Sequence, residues 1–422
     1  MQRFKLFLLL FFIYFKSFSQ YTAIPDMEFE QYLINNAIDT QALPDGQVLT
    51  ADIVNVTDLH LTNINSLIGI EGFVALTSLA ITWSQLTTID LSNNINLLNL
   101  DINYNFYLQS LNISNNINLI GIECYENQLT HLDLSNNINL IQILCHRNQL
   151  TSLDVSNNLN LLALIAWDNN LSQLDVSNNT LLSILDVSSN NISSLDVSQN
   201  TMLGSLGCSN NLLTHLDLTN NANLNELWCN NNQITTLEIN SNSFYAIPSQ
   251  SNNFTIPVFN CSNNNLSQLT IQNGNNISLN GIVTYIQGTV VYKRFNAKNN
   301  PNLTCIYVDD VVNCNANWTE IDATTHFVNN TADCQNLSDS DFVNNQFNIS
   351  PNPTSDNVVI NFGVFQEKVN ITLYNILDQF VSSQELQNIA LTSYPIIGEK
   401  GIYFLKIENQ KGTTKTYKII KD

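Results

Sequence analysis

The apolar positions of this chain recur at a period far longer than that of a helix or a strand. A leucine followed by Asp, Asn or Glu returns at Leu111, Leu132, Leu153, Leu174, Leu195, Leu216 and Leu237, each 21 residues after the last. Self-similarity at such a period marks a repeat array in which each unit is one supersecondary turn. Two shorter phrases lie inside each unit, LxxLxCxxN and LxxLDVSxN, as in "LIQILCHRNQ" and "LTSLDVSNNLN". Positions 1, 4 and 6 of each phrase are apolar, the alternation of a short strand, and Asn at position 9 ends it where its side chain can bond the turning backbone. A coil of this length cannot bury its own leucines. Stacking coils at the strand spacing of roughly 4.8 Å builds one continuous core and turns the Asn rows into ladders.

These residues resemble leucine-rich repeats, and the doubled phrase is similar to the nested-period bacterial subclass called IRREKO. The resemblance covers residues 53–303 and implies a β-rich solenoid of short parallel strands. The spacing departs from strict regularity twice. Ile89 to Leu111 is 22 residues, and "NSNSFYAIPSQSNNF" inserts about half a coil before Cys261 resumes the pattern.

Upstream of the array, "MQRFKLFLLLFFIYFKSFSQ" has Arg3 and Lys5, an apolar run from Leu6 to Phe15, then Ser17 and Ser19. This reads as a signal peptide over residues 1–19, cut before Gln20, because the apolar run is short for a bilayer span. No later segment is long and apolar enough to cross a membrane. Residues 20–52 read as an N-terminal cap, with an amphipathic helix from Met27 to Ala37 that is apolar at Phe29, Tyr32, Leu33 and Ala37. The following "DTQALPDGQVLTAD" has the Asp45-Gly46 of a calcium loop, yet Gln41 and Leu43 stand where the first carboxylates belong, so it reads as a turn.

The eight cysteines fall into two groups. Cys124, Cys145, Cys208, Cys229 and Cys261 occupy position 6 of the strand phrase, where other coils have Ile81, Ile102, Ala166 or Val187. Interchange with small apolar residues reads as buried free thiols. Cys305, Cys314 and Cys334 follow the array, and in an exported chain a Cys305–Cys334 bridge stapling the last coil is the favoured pairing, with Cys314 an alternative to either. Residues 304–346 thus read as a C-terminal cap and linker.

From 347 on the 21-residue rule lapses into short alternating strands with Asn-, Pro- and Gly-rich turns, which suggests a small β-sandwich. The "SPNP" at Ser350–Pro353, the "LYNILDQ" and the closing "GIYFLKI" and "TYKIIK" closely resemble the type A C-terminal sorting domain of the type IX secretion system of Bacteroidetes. That resemblance implies the secretion machinery as a partner of residues 347–422, and an extracellular or outer-membrane-surface location for the passenger. Whether the product is released or stays attached is open.

Charge supports two modules. The formal net charge is -21, and between residues 17 and 292 the only basic residue is Arg147. Residues 348–422 instead balance seven Lys against seven acids. Nucleic acid is excluded as a partner of so acidic a body, because phosphate contacts need Lys and Arg.

Catalytic chemistry finds no foothold. His131 and His215 repeat in "LTHLD" phrases where other coils carry Thr88, Ser152, Gln173 or Ser194, so they read as outward fillers, and His60 and His326 have no nucleophile or metal-spacing context. No cofactor is expected. Asp90, Asp133, Asp154, Asp175, Asp196, Asp217 and Glu238 form a column that reads as turn caps, with weak calcium binding the sharper alternative.

Variation concentrates where the phrase faces outward. Position 7 reads Thr82, Asn103, Tyr125, His146, Trp167, Ser188, Ser209 and Asn230; position 8 reads Trp83, Tyr104, Glu126, Arg147, Asp168, Ser189, Asn210 and Asn231. Leu144 and Ile165 at position 5 add an apolar strip. Aromatic side chains with a lone Arg on an acidic surface are the composition of a recognition patch, and Trp83, Tyr104, Tyr125, His146, Arg147 and Trp167 are its candidate residues. The ordinary alternative is that outward residues drift and aromatics stack only for stability. The reading is thus of a non-enzymatic recognition or adhesion protein binding a protein or a glycan on the strand face. Its alternatives are a calcium-stiffened surface spacer and an enzyme hidden in the irregular residues 240–335.

Overall fold

The computed structural model describes residues 20–422 except 240–241, 243, 245–246, 249–253, 256–257, 285–290, 335–346 and 411. The leader therefore lies outside the described residues, as does much of the insertion before Cys261. The chain divides into two compact units, residues 1–327 and 328–422.

The first unit is the solenoid. Its main sheet has 11 described strands, all parallel, running in chain order from Asp58–Thr62 to Phe295–Asn296. Successive strands pair at the repeat interval, as Gln142 with Ala163 and Ala163 with Ile184. Leu140, Ile143 and Cys145 are fully buried, and their equivalents in neighbouring coils join one hydrophobic core that runs from Ile24 to Phe327. Burial pushes the Cys145 thiol up to about 12, and the other ladder thiols rise for the same reason. These five cysteines and Cys314 are free, whereas Cys305 and Cys334 are disulfide-bonded.

The Asn at position 9 fastens each coil to the next. Asn148 Nδ2 donates to the carbonyls of Cys124 and Cys145 at 2.9 and 3.1 Å, and its Oδ1 accepts from Leu129 N–H at 3.0 Å. Asn169 and Asn190 repeat the arrangement. A single buried side chain thus satisfies three backbone groups at the turn, which is why Asn recurs there.

The second phrase behaves differently from the first. Paired strands occur on that side at Thr88–Asp90 with Ser110–Asn112, and later in a four-stranded sheet from Thr236–Glu238 to His326–Val328. Through residues 131–218 the same phrase is extended without a named strand. The Asp of the phrase bonds its own backbone instead: Asp133, Asp154 and Asp175 each accept from the N–H two residues on. Such local bonds offer the backbone an alternative to a ladder. They also hold the carboxyls of Asp133, Asp154 and Asp175 below the usual range.

At the start of the solenoid, the helix spans Met27–Asn35, two residues shorter than its apolar pattern suggests, because Ala37 turns into the left-handed region. Asp26 caps it, accepting from Glu28 and Phe29 N–H through one oxygen and from Asn65 and Ser66 N–H through the other. Phe29 stacks on Phe73 at 5.7 Å and closes the core's first end. The loop after the helix is held by the buried Glu30, whose Oε1 accepts from Asp45, Gly46 and Gln47 N–H. At the other end, Trp318, just after the helix Val311–Asn317, stacks on Phe295 at 4.1 Å.

The second unit is antiparallel. Its five strands form one sheet in which the long Asn357–Asn375 serves both layers: its first half pairs with Asn348–Ser350, its second half with Gly401–Asn409, and Phe380–Pro395 runs along its other edge. The strand bends where the register shifts between Asn361 and Gln366, with Gly363 at a φ of 74°. The sheet therefore curls into a half-barrel around Val358, Ile371, Tyr394 and Leu405 rather than splitting into two. The "SPNP" phrase ties the first strand to the last, since Asn352 donates to Lys418 O and accepts from Ile420 N–H, both at 2.8 Å.

Candidate functional site

Each coil leaves its strand through one left-handed residue. Position 8 has φ between 52° and 58° at Trp83, Tyr104, Glu126, Arg147, Asp168, Ser189, Asn210 and Asn231. Neighbouring coils lock this corner, for Glu126 N–H donates to His146 O and Arg147 N–H to Trp167 O, at 3.1 and 2.9 Å. The left-handed conformation brings Cβ against the following carbonyl and costs about 1–2 kcal/mol for ordinary residues, but little for Asn. Asn63, Asn210, Asn231, Asn263 and Asn299 take that low-strain option. The coils from Trp83 to Asp168 do not.

The six candidate residues form one continuous row. Trp83 and Tyr104 stack at 4.7 Å with planes 6° apart, and Tyr104 meets Tyr125 edge to face at 5.4 Å. Tyr125 stacks on His146 at 4.4 Å, and His146 on Trp167 at 4.6 Å. The Arg147 guanidinium lies over the Trp167 ring, pairs with Glu126, and stands 3.8 Å from Asp168. Burial between two rings, with Arg147 adjacent, pulls the His146 pKa down to about 4, so the imidazole is neutral at pH 7. Burial pushes the Tyr125 phenol up to about 12, with Tyr104 and the nearby acids adding to the shift. Leu144 and Ile165 are half-buried beside the row.

Two residues belong to this surface that outward-position counting misses. Phe106 meets both Trp83 and Tyr104 edge to face, at 5.6 and 6.4 Å, and Tyr107 beside it is 57% exposed. They occupy the turn between Asn105 and Leu108, where the next coils have the single Gln128 or Gln149. The odd residue of the 22-residue coil is thus spent on an exposed aromatic pair, and that irregular spacing was the available signal.

Beyond Trp167 the row changes character. Ser209 Oγ donates to Asn230, and Asn231 Nδ2 donates to Asn210, both at 2.7 Å, so outward polar groups there satisfy one another. His131 and His215 are exposed, and the exposed His60 bonds only Asp58, two residues away. No group of three metal-ligating side chains is present among the described residues. No described helix is long and apolar enough to cross a membrane.

The coils, with their buried leucine rows and asparagine ladders, define the first unit as a leucine-rich-repeat solenoid. Residues 348–422 match the family model described as "Secretion system C-terminal sorting domain", so the chain carries a type IX sorting tail. Among solved structures, the functional domain of InlJ from Listeria monocytogenes, which "includes a cysteine ladder", is similar at 17% identity over 96% of this chain and 99% of that one, with a TM-score of 0.44. The internalin InlF of the same organism is similar at 20% identity over 71% and 95%, with a TM-score of 0.42. No curated protein matches the chain.

Proposed function

We propose that this is an exported recognition or adhesion protein without catalytic activity, which binds a protein or glycan ligand through the aromatic row from Trp83 to Trp167, with Phe106, Tyr107 and Arg147. The observation that carries this reading is backbone strain. Trp83, Tyr104 and Arg147 occupy a left-handed corner that Asn fills with less strain elsewhere in the same array. Neutral drift would favour the low-strain residue, whereas strain retained at clustered exposed positions is the pattern of a functional surface. A protein ligand suits the row better than a sugar, because each stacked ring has a face covered by its neighbour and offers mainly edges. The acidic column that would stiffen a calcium-dependent spacer is engaged in its own turn caps.

The test is retention from native surface extracts on immobilised residues 20–422, comparing wild type with the Tyr125→Ser, His146→Ser, Trp167→Ser variant. A ligand held by wild type and lost by a variant that still melts cooperatively supports the site. Periodate treatment of the extract separates glycan from protein. Equal retention by both forms refutes it.

A further inference from the structure

A second surface of the solenoid carries a different chemistry. Just before each strand, the turn exposes an aliphatic side chain: Ile95, Ile117, Ile138 and Leu159 are 53–55% exposed in successive coils. Three residues later a parallel row begins, with Ile120, Ile141 and Leu162 at 38–43%. Between the rows runs a groove of about 600 Å³ lined in part by Asn118, Asn139 and Asn160. The groove floor is fixed, since Asn118 and Asn139 donate to the carbonyls of Ile95 and Ile117 in the preceding coils.

The strip is also without charge. The segments 91–100, 113–122, 134–144, 155–165 and 176–185 contain no Asp, Glu, Lys or Arg, in a chain whose formal charge is -21. It ends where Thr180 and Thr201 replace the first row and Ser183 and Gly204 the second. Contiguous bare aliphatic surface of this kind marks an association site.

We propose that this strip is a self-association face on which a second copy of the chain seats its own aliphatic row in the groove. Knobs repeated at the coil spacing of roughly 4.8 Å can be matched over several coils only by a surface of the same period. A second copy has that period by construction, and a two-fold axis lets one patch serve both subunits. Two strongly acidic bodies repel, so contact is confined to surface that carries no charge. The association is therefore reversible and strengthens with salt, which screens the repulsion between the flanks.

Sedimentation equilibrium of residues 20–422 tests this. The expected result is a monomer–dimer equilibrium in the micromolar range that tightens between low and half-molar salt. Ile138→Lys and Ile141→Lys, which place ammonium groups on exposed positions and should melt as wild type does, are expected to weaken it at least tenfold. Trp83→Ser, off the strip, is expected to leave it unchanged. A wild type that stays monomeric throughout, or lysine variants that associate equally well, overturns the proposal. So does a monomeric wild type that binds phosphatidylethanolamine vesicles and loses them on Ile138→Lys, which would assign the strip to lipid.

Discussion

The guanidinium carbon of Arg147 lies 4.8 Å from the centre of the Trp167 ring. Arg147 is the sole basic residue between positions 17 and 292, and the Glu126 and Asp168 carboxylates flank it. The plane of a guanidinium stacks on an aromatic face in a way an ammonium cannot. Arg147→Ala should reduce ligand retention at least tenfold, and Arg147→Lys should recover only part of it. Unchanged retention in both variants would remove Arg147 from the site.

Replacing Trp83 and Tyr104 together by Asn separates binding from stability. The stack lost is worth about 0.5–1.5 kcal/mol, and relief of left-handed strain returns a similar amount. The double variant should unfold in urea within about 1 kcal/mol of wild type while losing ligand. A much larger loss of stability would favour a structural role for the rings.

His146 makes stability depend on pH. Its folded pKa of about 4 lies below the ordinary 6.5, so between these values the unfolded chain binds a proton that the folded chain does not. Stability therefore rises with pH across that window and is lost as pH falls from about 6.5 to 4. With the ring partly open to solvent, the contribution is on the order of 1 kcal/mol. His146→Phe should flatten that part of a melting-temperature profile; a profile unchanged by the substitution would contradict the assignment.

Buried thiols should be silent in the folded chain. Cys145, held near 12 by burial, has almost no thiolate at pH 8, and thiolate is the reactive form. Iodoacetamide at that pH should label none of the five ladder cysteines until denaturant is added, as mass spectrometry of digests would show. Labelling of Cys145 under native conditions would mean that the coil opens.

Removing one ladder asparagine should be costly. Asn148→Ala strands two carbonyls and one N–H in a buried turn, a loss of about 3 kcal/mol or more. Asn93, exposed in its own turn, should tolerate Ala within about 0.5 kcal/mol. Equal costs at the two positions would deny the ladder its role.

Burial was the part of the structure most legible in the sequence. Leu140, Ile143, Cys145 and Asn148 announce their inward positions by recurring at a fixed interval, because a stacked coil presents the same neighbours to each copy. The outward place of Trp83, Tyr104, Tyr125, His146, Arg147 and Trp167 could be read by subtraction. The sign of φ at position 8 could not, since Trp and Tyr are poor advertisements for a left-handed corner that Asn210 and Asn231 would have signalled. Nor does periodicity say which turn receives the extra residue of a 22-residue coil, so Phe106 and Tyr107 escaped. The second phrase looks as strand-like as the first, yet its Asp bonds its own backbone; hydrophobic spacing carries no information about where an N–H finds its acceptor.

The left-handed corner has a consequence for how such a chain can change. Its backbone is pinned by bonds from the neighbouring coil, Arg147 N–H to Trp167 O among them, so the side chain mounted there can be exchanged without disturbing the stack. Every coil thus offers one interchangeable socket at the same height above the strands. Transplanting the corner residues of one stretch into another, Tyr-Glu at 125–126 for Ser-Asn at 209–210, would move recognition along the rod while leaving the rod itself as it was.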